Sequence, residues 1–263
     1  MLEYNKVDMT YKGSSADVDA LAGFDLSVDK GEPIAIIGAS GCGKSTALLL
    51  ATGLLQPSAG AIIVAGAPVR KPRFETALIL QDYGLLPWKT VYQNAELGLK
   101  IRHFSSEERR ERTEQALVQV GLQDFASSYP SELSGGMRQR LALARALALD
   151  VDLLLMDEPL SSLDALLREA LQDTLLELWR TRGYTQVLVT HSIEEAVFLG
   201  RRIVVLGSRP GHVVAIVENP EMGELEYRQT PIFYERCQKV RAALNAALKL
   251  PSAANARGGD LAR

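Results

Sequence analysis

Residues Gly38-Ala39-Ser40-Gly41-Cys42-Gly43-Lys44-Ser45-Thr46 combine the side-chain types that hold a polyphosphate. They read G-x-x-x-x-G-K-S/T. The apolar run Ile34-Ala35-Ile36-Ile37 precedes them, and Ala47 to Leu50 follow with helical character. The pattern carries meaning only between a strand and a helix, and both flanks fit. Glycines at 38, 41 and 43 let the backbone take φ > 0 and approach an anion with no Cβ in the way. Successive N–H groups then form a nest, and the helix opening near Lys44 adds its positive end. Lys44 is placed for the β- and γ-phosphates, and the Ser45 hydroxyl for Mg²⁺.

Three further segments carry chemistry. Asp157 and Glu158 follow the unbroken apolar run Leu153-Leu154-Leu155-Met156. Mg²⁺ takes carboxylate and water oxygens, which suits Asp157. Glu158, one residue further on, is placed to orient or deprotonate an attacking water. His191 ends the strand-like run Thr185 to Thr190, and Gln81 ends Thr76 to Leu80. A lone histidine or glutamine at a strand end is usually structural. Beside a phosphate loop, a γ-phosphate contact becomes the better reading for His191, and Gln81 follows by the same logic. Leu133-Ser134-Gly135-Gly136-Met137-Arg138-Gln139-Arg140 is a second Gly-rich helix start, and hence a second anion site. Spacing alone does not say what two such sites are for.

Elements must place these groups together. Period-two alternation over residues 2–29 predicts antiparallel strands around a loop at Gly13 to Asp17. Ala61 to Val64 reads as a strand. Pro87 to Ala148 is helical in pattern, with a Ser105/Glu108 capping box and a helix from Met137 to Leu149. Helices are also expected over Leu166 to Thr181 and after Ser192, the latter capped by Ser192 and Glu195. Arg202 to Leu206 and Val213 to Val217 form a hairpin around Pro210-Gly211. Strands alternating with helices imply a mostly parallel sheet with its ligand at the strand C-termini. The fold expected is α/β: a P-loop NTPase core, an N-terminal antiparallel β subdomain and an inserted α-helical subdomain. Residues 1–84 and 150–220 form the core with its antiparallel part. Residues 85–149 form the helical subdomain, and 221–263 a C-terminal extension whose aperiodic end, from 251, is expected to fray.

Bulk properties narrow the class. The 263 residues carry a net charge of −3, which argues against a nucleic-acid partner. Met1 to Thr10 contains Glu3, Lys6 and Asp8 and no apolar h-region. The richest apolar stretch, Leu141 to Met156, is interrupted by Arg145, Asp150 and Asp152, so no membrane span is expected. Two cysteines, Cys42 and Cys237, fit a reducing cytosol. His103 and His212 are expected at the surface. Asn5-Lys6-Val7-Asp8 matches a guanine-reading pattern but precedes the phosphate loop, so it is read as accidental.

Taken together, these motifs resemble an ABC-transporter ATPase subunit over about residues 2–220. Leu133 to Arg140 is similar to that family's signature motif. Leu153 to Pro159 resembles its second nucleotide motif, and Ser161-Ser162-Leu163-Asp164 its D-loop. Gln81 resembles the Q-loop glutamine, His191 the switch histidine, and Tyr11 the aromatic residue that stacks on adenine. The resemblance implies a homodimer closing head to tail on two ATP molecules. Ser134, Gly135, Gly136 and Asp164 of one chain would complete the site that Lys44 and Glu158 build in the other. It also implies Gln81 near the metal, transmembrane permease subunits as partners and, indirectly, a periplasmic substrate-binding protein. The location implied is peripheral, on the cytoplasmic face of the inner membrane.

Leu85-Leu86-Pro87-Trp88-Lys89-Thr90-Val91 with Asn94, and Leu206 to His212, look like the nitrate/sulfonate/taurine importer branch. The apolar residues Leu85, Leu86 and Trp88 are expected to be exposed as part of a docking surface. The alternatives are a soluble ABC ATPase without a transport role, and a P-loop kinase or GTPase. The first usually has fused cassettes or a coiled-coil insertion. The second does not account for Ser134 to Gly136 or His191.

Overall fold

The computed structural model describes residues 1–14, 16–161 and 163–249. Ser15 in the loop expected at Gly13 to Asp17, Ser162 and residues 250–263, including the segment expected to fray, lie outside that set. Strands β1 (Leu2–Tyr11) and β2 (Val18–Val28) pair antiparallel, as their alternation predicts. Strand β3 (Pro33–Ile37) leads into helix α1 (Lys44–Thr52). Strands β4 (Ala59–Val64) and β5 (Ala67–Pro68) return to the first sheet, whose order is β2-β1-β4-β5.

Strand β6 (Thr76–Ile79) precedes three helices, α2 (Val91–Ile101), α3 (Ser106–Gln119) and α4 (Gly135–Leu147). Then follow β7 (Leu153–Asp157), α5 (Ala165–Arg182), β8 (Thr185–Thr190) and α6 (Ile193–Leu199). The hairpin β9 (Arg202–Leu206) and β10 (Val213–Glu218) comes next. Helix α7 (Pro231–Lys249) occupies the extension, where the sequence pattern assigned no element.

The main sheet has the order β10-β9-β3-β8-β7-β6, with only β10 antiparallel to its neighbour. Strands β3, β7 and β8 are buried along their whole length. Layers on both faces explain why they read as unbroken apolar runs rather than alternating ones. The side chains still divide by face. Ala35, Ile37, Leu154 and Met156 join the core shared with α2 to α7. Ile34, Ile36, Leu153 and Leu155 join the core beneath α1 and the antiparallel sheet. Tyr4, fully buried there, donates its hydroxyl to the Ala47 carbonyl of α1 at 2.8 Å and packs edge-on against Phe24. The antiparallel sheet is thereby fastened to the phosphate-loop helix.

Caps mark the helix starts. The Ser105/Glu108 box forms in both directions, at 3.3 and 3.0 Å. Helix α4 opens at Gly135, two residues before the expected Met137, because Ser134 rather than Gly136 is its cap: its hydroxyl accepts from Met137 N–H at 3.3 Å. No helix among the described residues is long and apolar enough to cross a membrane.

The loop Leu85–Thr90 is wound around Asn94, which is fully buried. Its Nδ2 donates to the carbonyls of Leu86, Lys89 and Thr90 at 3.0–3.1 Å, and its Oδ1 accepts from Leu86 N–H at 2.8 Å. This rigid turn leaves Trp88 70% exposed. The surface there is narrower than the sequence suggests: Leu85 and Leu86 are half-buried, and Leu85 packs on the main core. Asn94→Ala would strand buried backbone groups. It should cost about 2 kcal/mol, roughly 5 °C in Tm, read by calorimetry. An unchanged Tm would mean that water replaces the amide.

Candidate functional site

Four adjacent strands deliver the site. The phosphate loop follows β3, His191 follows β8, Asp157 and Glu158 close β7, and Gln81 follows β6. All four segments emerge at strand C-termini, where an open α/β sheet binds its ligand.

Two of the loop glycines serve the conformation expected of them, Gly41 at φ 75° and Gly43 at φ 100°. Gly38 does not: its φ is ordinary, and it is there for space. A Cβ at Gly38 would meet Cys42 Sγ at 2.8 Å and Leu206 Cβ at 3.1 Å. Lys44 is 7% exposed, and its Nζ donates to the Gly38 and Ala39 carbonyls at 2.9 Å each. The ammonium thus lies across the loop, inside a cavity of about 340 Å³. Ser40, Gly41, Gly43, Ser45 and Thr46 line it, with Gln81 and Glu158 on one side and Tyr11, Val18, Ala20 and Arg209 on the other. Tyr11 is 38% exposed, and its hydroxyl lies 3.2 Å from Thr46 Oγ1. It is therefore a wall of this cavity, not a core residue.

Cys42 turns away from the cavity. It is 1% exposed, and burial pushes its thiol up from the ordinary value. Shielding from thiol reagents is therefore a property of the fold itself, and bound nucleotide need not add to it. Cys42 should label slowly with or without MgATP and become reactive on unfolding. Fast labelling of the native chain, read by mass spectrometry, would contradict the packing under Gly38.

Gln81, Glu158 and His191 converge on one oxygen. Glu158 Oε2 lies 3.2 Å from His191 Nδ1 and accepts from Gln81 Nε2 at 3.5 Å. Glu158 sits at φ 48°, unusual for a side chain of this kind, and its N–H donates to Val189 of β8 at 2.9 Å. That backbone turn aims the carboxylate along the strand ends.

Asp157 is 8% exposed. Burial raises its carboxyl above the usual range, as does the nearby Glu158 charge; the Ser45 hydroxyl bond and Lys44 oppose them. A carboxylate in that position calls for a cation, and Ser45 and Asp157 already touch. Among the described residues there is no cluster of three or more His, Cys, Asp or Glu that could hold a metal. One carboxylate beside one hydroxyl is a donor set that suits Mg²⁺, which takes one or two carboxylates plus substrate phosphates rather than an all-protein cage.

The second anion site stays apart. None of Ser134, Gly135 and Gly136 lines the cavity. Ser134 is exposed and Gly135 faces open space, while a Cβ on Gly136 would meet Leu163 Cδ2 at 2.9 Å. Asp164 caps α5, accepting from Leu167 N–H at 3.0 Å. The other end of α4 reaches back to the site: Arg145 donates to the Tyr83 and Gly84 carbonyls at 2.6 Å each, just beyond Gln81.

Sequence reasoning missed three features. Arg209 lines the cavity from the Leu206–His212 segment, with its Nε on the Asp19 carbonyl at 3.3 Å. His212 is half-buried, not a surface residue, and its Nδ1 lies 3.0 Å from the Pro210 carbonyl. Glu195 is only half of the expected cap. Its N–H does donate to Ser192 Oγ at 3.2 Å, but its carboxyl turns inward to the Thr190 hydroxyl. The signal was available: Ala196-Val197-Phe198-Leu199 leaves this short helix with little polar surface.

Burial raises the Glu195 carboxyl from 4.5 to about 7, opposed by the Thr190 bond, Arg168 and His191 and reinforced by Glu158. The stability this neutral form contributes is complete below about pH 4.5 and is lost as pH rises through about 7. Glu195→Gln, which never ionises, should lose less Tm than the unmodified chain between pH 5 and 8. Parallel curves would mean that Glu195 is already ionised at the lower pH.

Residues 21–161 match the family model described as ABC transporter. The chain is 44% identical over 210 residues to a taurine import ATP-binding protein of Burkholderia pseudomallei, covering 80% of this chain and 81% of the relative. It is 38% identical over 251 residues to a nitrate import ATP-binding protein of Synechocystis, covering 92% and 94%. Among solved structures it is similar to a dimeric, post-hydrolysis ATP-binding cassette bound to ADP and Pi. The TM-score is 0.77 at 32% identity, over 83% of this chain and 98% of that one.

Proposed function

Because this chain belongs to the ABC transporter family, whose ATP-binding subunits hydrolyse ATP, we propose that it powers an importer of a small anion such as taurine, another sulfonate or nitrate. Its working form is a head-to-tail homodimer beneath transmembrane permease subunits, on the cytoplasmic face of the membrane. A substrate-binding protein supplies the cargo from outside. Residues 85–149 act as the lobe that moves against residues 1–84 and 150–220.

Within one copy, the N–H groups of residues 38–46 and the Lys44 ammonium bind the β- and γ-phosphates. Tyr11 and Arg209 border the base and sugar. Ser45, Asp157 and Gln81 hold Mg²⁺, which when bound neutralises charge on the phosphate oxygens. Glu158 takes the proton of the attacking water, and His191 holds Glu158 and the γ-phosphate in register. Ser134, Gly135 and Gly136 of the second copy close over the γ-phosphate, with Asp164 at the same seam.

One observation carries the dimer: a 13-residue helix has a Gly-rich N-terminus with an exposed Ser134 cap, and it lines no part of its own nucleotide cavity. The exposed Trp88 on its rigid turn supports a docking role for that loop. The test is phosphate release by the purified chain and uptake by a strain lacking it. Mg²⁺-dependent hydrolysis and lost uptake of labelled taurine or nitrate are expected. Absence of hydrolysis overturns the site, and unaltered uptake of taurine, of a second sulfonate and of nitrate overturns the cargo.

A further inference from the structure

Glu195 is 3% exposed and takes no part in the scheme above. It lies one helical turn beyond His191, and its carboxyl reaches back under that residue. Thr190 Oγ1 donates to Glu195 Oε2 and, at 3.0 Å, accepts from Ser192 N–H. These two contacts bracket His191 on both sides along the chain. The hydroxyl therefore ties the backbone after His191 to the strand before it, and the carboxyl fixes the hydroxyl. Ser192 Oγ closes the ring by accepting from Glu195 N–H at 3.2 Å. Among the described residues Glu195 Oε1 has no hydrogen-bond partner.

A buried carboxyl with one empty oxygen is an expensive choice for a mere helix cap, because an exposed Glu at this position would do that at no desolvation cost. His191 needs such a support. Its side chain is 63% exposed, and its imidazole Nδ1 lies 3.2 Å from Glu158 Oε2. An exposed imidazole with one such contact is held in place mainly by its backbone.

We propose that Glu195 is a positioning residue for His191, acting through the Thr190 hydroxyl and the Ser192 amide to fix the turn that presents the imidazole to Glu158 and the γ-phosphate. The inference rests on the site reading given above. Glu195 touches neither nucleotide nor metal. It holds a shape rather than moving a proton, so a neutral hydrogen-bonding side chain of equal size can replace it.

The experiment is steady-state MgATP hydrolysis by the full chain carrying Glu195→Ala, Glu195→Gln or Thr190→Val, each also combined with His191→Ala. Expected is a kcat loss of about tenfold for Glu195→Ala and Thr190→Val, with KM within about threefold and Glu195→Gln within about threefold of the unmodified chain. In the His191→Ala background Glu195→Ala should cost less than about twofold, since its effect runs through a residue already removed. The same fractional loss with and without His191 overturns the proposal, as does normal kcat in Thr190→Val. If Glu195→Ala does not fold, Thr190→Val decides alone. Absence of hydrolysis in the unmodified chain would overturn the site reading and this proposal together. Normal hydrolysis there with an inert Thr190→Val overturns this proposal only.

Discussion

Glu158→Gln is expected to lower kcat by about 10²- to 10³-fold while leaving MgATP bound. The substitution keeps the volume and the contacts: the amide can still meet Gln81 and His191, which lie 3.5 and 3.2 Å from Oε2. It removes the only property that a general base requires, an acceptor for the water's proton. It also removes a negative charge next to Asp157 and the phosphates, so binding should hold or tighten. Phosphate release together with titration calorimetry reads both. Turnover within about fivefold of the unmodified chain would take the role of base away from Glu158.

Lys44→Ala acts on the other half of the cycle. Lys44 is 7% exposed, and two loop carbonyls hold its ammonium at 2.9 Å. Its loss removes a unit charge from the cavity proposed to hold the phosphates and leaves those carbonyls without their donor. Truncating one member of a buried charged pair costs about 3 kcal/mol, which is about 100-fold in Kd. Calorimetry with ATP should show that weakening, with a Tm close to that of the unmodified chain. Unchanged affinity would mean that the backbone nest alone binds the phosphates.

The phosphate loop was legible because it is local: strand, glycines, lysine and helix are contiguous, so spacing alone specifies geometry. Gln81, Glu158 and His191 are far apart in sequence and were still legible, because each ends a strand of one parallel sheet. Their meeting on a single oxygen follows from β6, β7 and β8 being neighbours. What failed to show depends on packing between distant segments. Nothing near Cys42 says that its side chain points under Gly38 and against Leu206. Glu195 has the spacing of a cap, and the apolar run Ala196 to Leu199 was the one local sign that its side chain turns inward.

Helix α7 is local too, since Phe233, Cys237, Val240, Leu244 and Ala247 repeat at helical spacing between charges, and what the spacing does not show is the core they pack against. The expected exposure of Leu85 and Leu86 failed for another reason. Asn94 bends that loop inward and leaves Trp88 alone in solvent. The separation of Ser134 from the nucleotide cavity was raised by the sequence as two anion sites without a stated use, and the proposed second copy supplies one.

That second copy is the central claim, and sedimentation velocity on Glu158→Gln in MgATP, with and without Ser134→Arg, tests it most directly. The account predicts that the single variant doubles in mass when MgATP is added. The double variant should bind nucleotide through its own phosphate loop yet remain a monomer, because its α4 tip can no longer close on the opposite γ-phosphate. A double variant that dimerises as readily as the single one would show that the helix at Ser134 has no part in the nucleotide interface.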